Sequence, residues 1–350
     1  MKVTATFYTQ HLITSQVNYT CSYAGDRIEE ISGDKIERYL KSAKLTPSML
    51  WEKSKTDIVY SELGCIIFDD TVLDHNSSSK IEGVRKQWSG NQHKIIRGIG
   101  VVGCVYYNPE LDLTWLIDYR IFDPDTDDMK KTEHAMEMFT NIIHHKQSKQ
   151  LNFTFKYTLF DAAYATKKFL ALIDNSNNKY LCNMKSNRTC WEYGIDYSNK
   201  DKKLHNKPIQ FKNLNWDENS NQKGKMVRLK DFPSNKYVKL FKIIVSTDRT
   251  DYIVTNDMTI NDPDVIKDIN GMRWNIESFH REIKQTTGIE ACECRKNRSQ
   301  RNHINLALRA WIWLKQETRK QCQTIYQLKQ NQLDDYYINT MKNPTLKFTW

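Results

Sequence analysis

Two kinds of apolar stretch are missing from this sequence. No continuous apolar segment follows the N-terminus, and no run of about 18 apolar residues occurs anywhere, so neither a signal peptide nor a transmembrane helix is expected. Internal repeats are absent, and so is any Cys-x-x-Cys pair. The eight cysteines are scattered through 350 residues, which argues against a disulfide framework and for reduced thiols in a cytoplasmic protein. Cys292-x-Cys294 with His280 and His303 is the nearest approach to a zinc set, and its spacing fits zinc ligation poorly. Acids are in deficit: 42 against 52 Lys and Arg, a net charge of +10 and a pI near 9.0. That balance suits an anionic partner, nucleic acid first among them. The length fits two domains or one elaborated domain with a sizeable core.

The texture of the chain changes along its length. Residues 1–56 read as short helices, with Ser32 or Asp34 capping one and Thr46-Pro47 opening another. Two readings fit them equally, a small DNA-binding unit and a packing appendage. From residue 57 the runs "LGCIIFDDTVLD", "KIIRGIGVVGCVYYNP" and "LDLTWLIDYRIFDP" predict three strands of a meander. A helix follows at "MKKTEHAMEMFTNIIHHKQSK", then a strand and helix in "KYTLFDAAYATKKFLALID", then a strand at "KYLCNMKSN". This β-β-β-α-β-α-β order predicts an α/β fold of the ribonuclease H-like kind, a mixed sheet flanked by helices, spanning 57–187 and resuming at 251–320. Residues 188–250 predict a mostly β insertion. Asp262-Pro263 starts a long helix running to Gly288, "QRNHINLALRAWIWLKQETRK" is a last helix, and 321–350 form a polar tail.

The candidate chemistry starts from "NGMRWNIESFHREIK", residues 270–284. At about 100° per residue, Arg273, Lys284, Asn270 and Arg281 lie within about 40° of Glu277 around the helix axis. Val265, Ile269, Met272, Ile276 and Ile283 form an adjacent apolar stripe roughly 80–140° away. The acid therefore sits where the helix meets the body of the protein. Such a stripe is ordinarily a set of surface ion pairs. Two further acids change that reading, because Asp70 ends the apolar strand "CIIFDD" and Asp161 ends "YTLFD". Converging carboxylates repel one another unless compensated. A hard divalent cation compensates them, with Mg²⁺ or Mn²⁺ selected by the oxygen ligands. Two such ions about 3.5–4 Å apart suit phosphodiester transfer, and the neighbouring cations suit backbone phosphates.

These residues resemble a family. The ordered set Asp69-Asp70-Thr71, "LFD" ending at Asp161, and Asn270-(2)-Arg273-(3)-Glu277-(6)-Lys284 is similar to the DDE transposases of bacterial insertion sequences, in the group with a Tyr-Arg-Glu-Lys pattern. "IDYRIFDP", "KSNR" and "RKNRSQRNHINLALRAWI" extend the resemblance over about residues 57–315. It implies Asp70, Asp161 and Glu277 as catalytic metal ligands. It also implies Mg²⁺-dependent cleavage at terminal inverted repeats, with Mn²⁺ substituting, then strand transfer into target DNA by a homodimer in the bacterial cytoplasm. In the family, excision can pass through a DNA hairpin, with an insertion aromatic holding a flipped base; Trp191, Trp216 and Tyr252 are the candidates. Asn270 stands where the pattern has Tyr, which removes a phenolic contact to phosphate. Lys185, Arg188, Arg295, Lys296, Arg298 and Arg301 are further DNA-contact candidates. The competing readings are a nuclease or resolvase that cleaves without joining, and a DNA-binding derivative without catalysis.

Overall fold

The computed structural model describes residues 1–16, 18–78, 80–90, 92–147, 153–192, 207–230, 232–233 and 236–343. Four helices come first: α1 (Ala5–Thr14), α2 (Cys21–Gly25), α3 (Gly33–Ser42) and α4 (Pro47–Ser54). Ser32 caps α3 by accepting from Lys35 N, and Pro47 occupies the first position of α4, where a missing N–H costs nothing. The meander has four strands where three are expected: β1 (Cys65–Asp74), β2 (Arg85–Ser89), β3 (Lys94–Asn108) and β4 (Leu113–Phe122). β2, "RKQWS", is short and charged and pairs only with the first residues of β3, so it carries no apolar signature. Next come α5 (Pro124–Asp127), α6 (Lys131–Gln147), β5 (Tyr157–Phe160), α7 (Lys167–Asn175) and β6 (Lys179–Met184).

The segment read as a β insertion contains β7 (Thr189–Glu192), β8 (Ile209–Gln210), α8 (Glu218–Lys223), β9 (Lys225–Leu229) and β10 (Val238–Ile244); its residues 193–206 lie outside the described ones. β11 (Thr250–Thr255), α9 (Pro263–Met272), α10 (Trp274–Thr286), α11 (Asn297–Gln321) and α12 (Ile325–Lys342) complete the chain. The polar tail thus contains a helix, opened by a capping box between Thr324 and Gln327. No helix among the described residues is long and apolar enough to cross a membrane.

All eleven strands join one mixed sheet. Its central order, β4-β3-β1-β5-β6, has the first three strands antiparallel and β5 and β6 parallel to β1, the ribonuclease H-like arrangement. β11 continues the sheet antiparallel to β6, followed by β10, β9, β7 and β8. Both faces are covered, which is why β1 opens as an unbroken apolar run, not an alternating one. Ile67 packs with Ile276 and Phe279 of α10 and with α11, beneath the N-terminal helices. Ile66 and Phe68 pack on the other face with Phe139 of α6 and Phe169 of α7.

Two amides of α11 fasten the N-terminal helices to this body. Asn302 Nδ2 donates to the carbonyls of Leu40 (2.7 Å) and Ala43 (2.8 Å), at the end of α3. Asn305 Nδ2 donates to Thr46 O (3.0 Å) and to the Tyr119 hydroxyl (2.9 Å). These bonds satisfy carbonyls that a helix end leaves open.

α12 is tied down by a buried lysine. Lys329 Nζ donates to the carbonyls of Ile13 (2.6 Å) and Ser15 (2.9 Å), at the C-terminal end of α1. Burial lowers its pKa from 10.5 to about 8. The folded state therefore holds this proton less tightly than the unfolded chain. The group's contribution to stability is fully present above the unfolded value and is lost as pH falls through the folded one. Urea melts of the wild type and Lys329→Met should show the difference in unfolding free energy moving in favour of the wild type by about 2 kcal/mol between pH 8 and 10.5. A pH-independent difference would contradict a depressed Lys329.

Candidate active site

Strand alternation decides which acid of the Asp69-Asp70 pair meets α10. Successive side chains point to opposite faces. Ile67 packs on the α10 face and Phe68 on the α6 and α7 face, so Asp69 belongs to the first and Asp70 to the second. The partner of Asp69 across the ladder is Gly103. A Cβ built there would lie 3.6 Å from Phe279 and 3.5 Å from His280, which places this pair under α10. Asp161 follows β5 directly. β5 runs parallel to β1 with Phe160 beside Phe68, so Asp161 emerges next to Asp69. Its Oδ1 accepts from Ala163 N at 2.8 Å, which fixes the carboxylate at the strand end. Burial pushes Asp69 up to about 8, and the charges of Asp70 and Asp161 push the same way, while Arg273 opposes them.

Glu277 is carried by α10, the helix that covers this face. The single helix expected from Asp262 to Gly288 is interrupted at Arg273 and ends at Thr286. Arg273 N bonds to Asn270 O, a tighter i−3 contact, at 3.1 Å. Arg273 keeps helical angles (φ −57°, ψ −28°), so the Asn270–Lys284 stripe carries across the break. Ile276, Phe279 and Ile283 bury one side of α10 against the sheet and leave Glu277 half-buried at its margin. Arg273 Nη1 holds Glu277 Oε1 at 2.8 Å. Asp69, midway along β1, and Asp161, just past the end of β5, thus stand on adjacent strands, and the Arg273 whose charge reaches Asp69 also holds Glu277.

Asp70, the ligand expected from the sequence, has two hydrogen-bond donors of its own. It points to the other face of β1, where Lys131 Nζ (2.6 Å) and the Tyr164 hydroxyl (2.8 Å) both donate to it. The structure places Asp69 beside Asp161 and leaves Asp70 neutralised by Lys131 across the sheet. Phe68 and Phe160 are paired and each is followed by an acid, and that register, which the sequence does not print, puts Asp69 on the side of Asp161. Nothing in the sequence marked Lys131 or Tyr164.

Residues 60–313 match the family model of the transposase DDE domain. The chain belongs to that family. No curated protein matches it. The match covers the sheet, Asp69, Asp161, α9, α10 and most of α11, so Asp69, Asp161 and Glu277 all lie inside the transposase domain. Transposases act on DNA, and those with a DDE domain generally use divalent metal ions.

The donors of this transposase suit such an ion. They are carboxylate oxygens, the hard ligands that Mg²⁺ and Mn²⁺ prefer. At Asp69 burial and like charge outweigh Arg273 and push the carboxyl up to about 8, a deficit of positive charge that a cation would make good. Among the described residues no three or more His, Cys, Asp or Glu side chains stand together closely enough to hold a metal ion, so the ion would have to draw Glu277 in to Asp69 and Asp161. The zinc alternative is not assembled: His280 is buried beside Gly103, whereas His303 bonds Tyr8 and Gly288 O on the far side of α10.

The basic candidates fall into three groups. Lys284 is committed to the fold, donating to Val72 O (2.6 Å) and pairing with Glu290 (3.0 Å), so it is not a free phosphate clamp. Lys296 and Arg301 are likewise paired, with Glu82 (2.7 Å) and Asp123 (3.0 Å). Arg281, Arg295, Arg298 and Lys185 are exposed. Arg188 is half-buried in the turn after β6, whose strand ends beside Asp161 because Phe160 pairs with Cys182. Asn270 Oδ1 is buried without a partner among the described residues. Of the insertion aromatics, Tyr252 is core, Trp216 packs at the core's edge, and Trp191 lies half-buried under Arg228, 4.4 Å from its ring centre.

Proposed function

We propose that this transposase cuts double-stranded DNA at the terminal inverted repeats of an insertion sequence and joins the freed ends to target DNA, with Asp69, Asp161 and Glu277 as its metal-holding carboxylates. The placement of Asp69 and Asp161 on adjacent strands, with Arg273 acting on Asp69 and holding Glu277, carries the reading. Bound there, Mg²⁺ or Mn²⁺ supplies charge neutralisation at the phosphate and a more acidic water or 3′-hydroxyl. The side chains of this chain do the positioning. Arg273 orients Glu277 before DNA arrives, and its Nε, buried without a partner, is left to donate to a phosphate oxygen. Lys185 and Arg188 present charge beside Asp161, and Arg281, Arg295 and Arg298 present it around α10 and the start of α11. Asn270 takes the position of the family's tyrosine and offers an amide to the same backbone.

In cleavage, a water oxygen attacks phosphorus and the 3′ oxygen leaves. In joining, the freed 3′-hydroxyl attacks a target phosphate and expels the target's own 3′ oxygen. Two element ends must be held together for this, which calls for a second copy of the chain, acting in the bacterial cytoplasm. The test is incubation of the purified protein with the element's own ends, a target plasmid and Mg²⁺, scoring nicks, hairpins and joined products. Nicks and joined products are expected. Glu277→Gln should bind the ends while losing at least about a thousandfold in cleavage, several kcal/mol of charge stabilisation being at stake. Cleavage without joining would leave a nuclease, and unchanged cleavage by Glu277→Gln would overturn the site.

A further inference from the structure

Three thiols outside the carboxylate site meet beneath the N-terminal helices. Cys21 opens α2, while Cys292 and Cys294 lie in the short segment between α10 and α11. The Cys21 and Cys292 thiols both donate toward the Cys294 sulfur. Those two donors stabilise the Cys294 thiolate and draw its proton off well below the ordinary thiol range, while burial raises Cys21 and Cys292. Gln300 Nε2 fixes the backbone here by donating to the carbonyls of Cys292 (2.9 Å) and Cys294 (2.7 Å). Cys21 and Cys292 are buried, and Cys294 is partly exposed. All three line a cavity of about 780 Å³ between the N-terminal helices and the 291–296 segment, whose walls carry Arg38, Lys41, Arg295 and Lys296 together with Asp34, Glu37 and Glu293. No metal cage is formed among the described residues. A reachable sulfur with two thiols beside it, on the wall of an open cavity, is the setting of a reactive cysteine and its resolving partner.

We propose that Cys294 is an oxidant-reactive sulfur and Cys21 its resolving thiol, so that hydrogen peroxide ties α2 to the segment leading into α11 through a disulfide. In the first step the Cys294 sulfur attacks one peroxide oxygen. The O–O bond breaks, hydroxide leaves and takes a proton to become water, and a sulfenic acid remains. In the second, the Cys21 sulfur attacks that of Cys294. The S–O bond breaks, hydroxyl departs as water with the proton of Cys21, and the S–S bond forms. Two thiols lose two electrons and one peroxide becomes two waters. Cys21 is the partner because it comes from another element, whereas Cys292 shares with Cys294 a backbone that Gln300 pins at both residues. The bridge adds a covalent tie where the amides of α11 already hold the N-terminal helices.

The reduced full-length protein, titrated with hydrogen peroxide and mapped by mass spectrometry without reductant, should yield a peptide pair linked through Cys21 and Cys294. Before oxidation, iodoacetamide should label Cys294 roughly tenfold faster than the exposed Cys322 at neutral pH. In Cys21→Ser, peroxide should leave a sulfenic acid at Cys294 that dimedone traps, with an unchanged melting temperature showing that the variant is folded. Preferential labelling of Cys322, a Cys292–Cys294 bridge, or no bridge in the wild type would each overturn the proposal, and the wild-type map needs no variant to fold.

Discussion

Asp69→Asn should abolish divalent-dependent cleavage, whereas Asp70→Asn should weaken it and leave it measurable. The two acids are adjacent and identical in type, so the difference rests on geometry. Asp69 shares a sheet face with α10 and feels the charges of Asp161 and Arg273. Removing its charge takes a ligand from the metal, at a cost of several kcal/mol in the transition state, or about a thousandfold or more in rate. Asp70 is one layer removed, where Lys131 and Tyr164 hold it at 2.6 and 2.8 Å. Losing that charge strands a half-buried ammonium, costs about 1–3 kcal/mol of stability, and shifts the part of β1 that carries Asp69. A loss of about ten- to hundredfold in cleavage fits a group acting through its neighbour. End-labelled repeat DNA with Mg²⁺, cleaved over a time course, reads both rates, and a mobility shift reads binding, which both variants should keep. If Asp70→Asn is inert while Asp69→Asn cuts normally, the assignment is reversed.

That distinction also marks how far the sequence could be read. Apolar runs bounded by turn residues gave β1, β3, β4, β5 and β6, because strands buried on both faces need no alternation to be visible. Asp161, closing β5, and the Glu277 stripe were legible because a charge beside an apolar run stands out, whereas Asp69 and Asp70 only looked like a strand end, since pairing with β3 carries β1 on to Asp74. Which of two consecutive acids faces the helix depended on strand parity and on which face α10 covers, and only the second is tertiary information. Lys284 looked like a phosphate clamp because one partner, Val72 O, is 212 residues away and the other, Glu290, lies beyond the end of its helix. β2 went unseen because its pairing with β3, not its composition, makes it a strand. Asn302 and Asn305 read only as part of a motif, since their work is to satisfy carbonyls more than two hundred residues away. The break at Arg273 left no signal beyond Gly271, a weak helix former that many helices tolerate.

Phe169→Ala should be the most destabilising core substitution near the site, at about 3–5 kcal/mol. Its ring is fully buried and touches three others: Phe68 edge-on at 5.5 Å, Phe139 edge-on at 5.9 Å and Phe160 tilted at 5.0 Å between ring centres. Phe139 belongs to α6 and Phe169 to α7, so neither can close the gap without moving a helix, and a cavity that cannot collapse keeps its full cost. Phe169→Leu keeps most of the volume and should cost about 1–1.5 kcal/mol. Urea melts give both values as a lowered midpoint at constant slope. The consequence for function follows from chain order, because Phe68 precedes Asp69 and Phe160 precedes Asp161. The same aromatic contact that holds β1 beside β5 sets the distance between the two carboxylates that follow. Cleavage by Phe169→Ala, measured at a temperature where the variant remains folded, should therefore fall further than that of Phe169→Leu, since near-attack geometry tolerates little displacement. Equal cleavage by the two variants, at equal folded fraction, would mean that the two carboxylates are positioned from the α10 face alone.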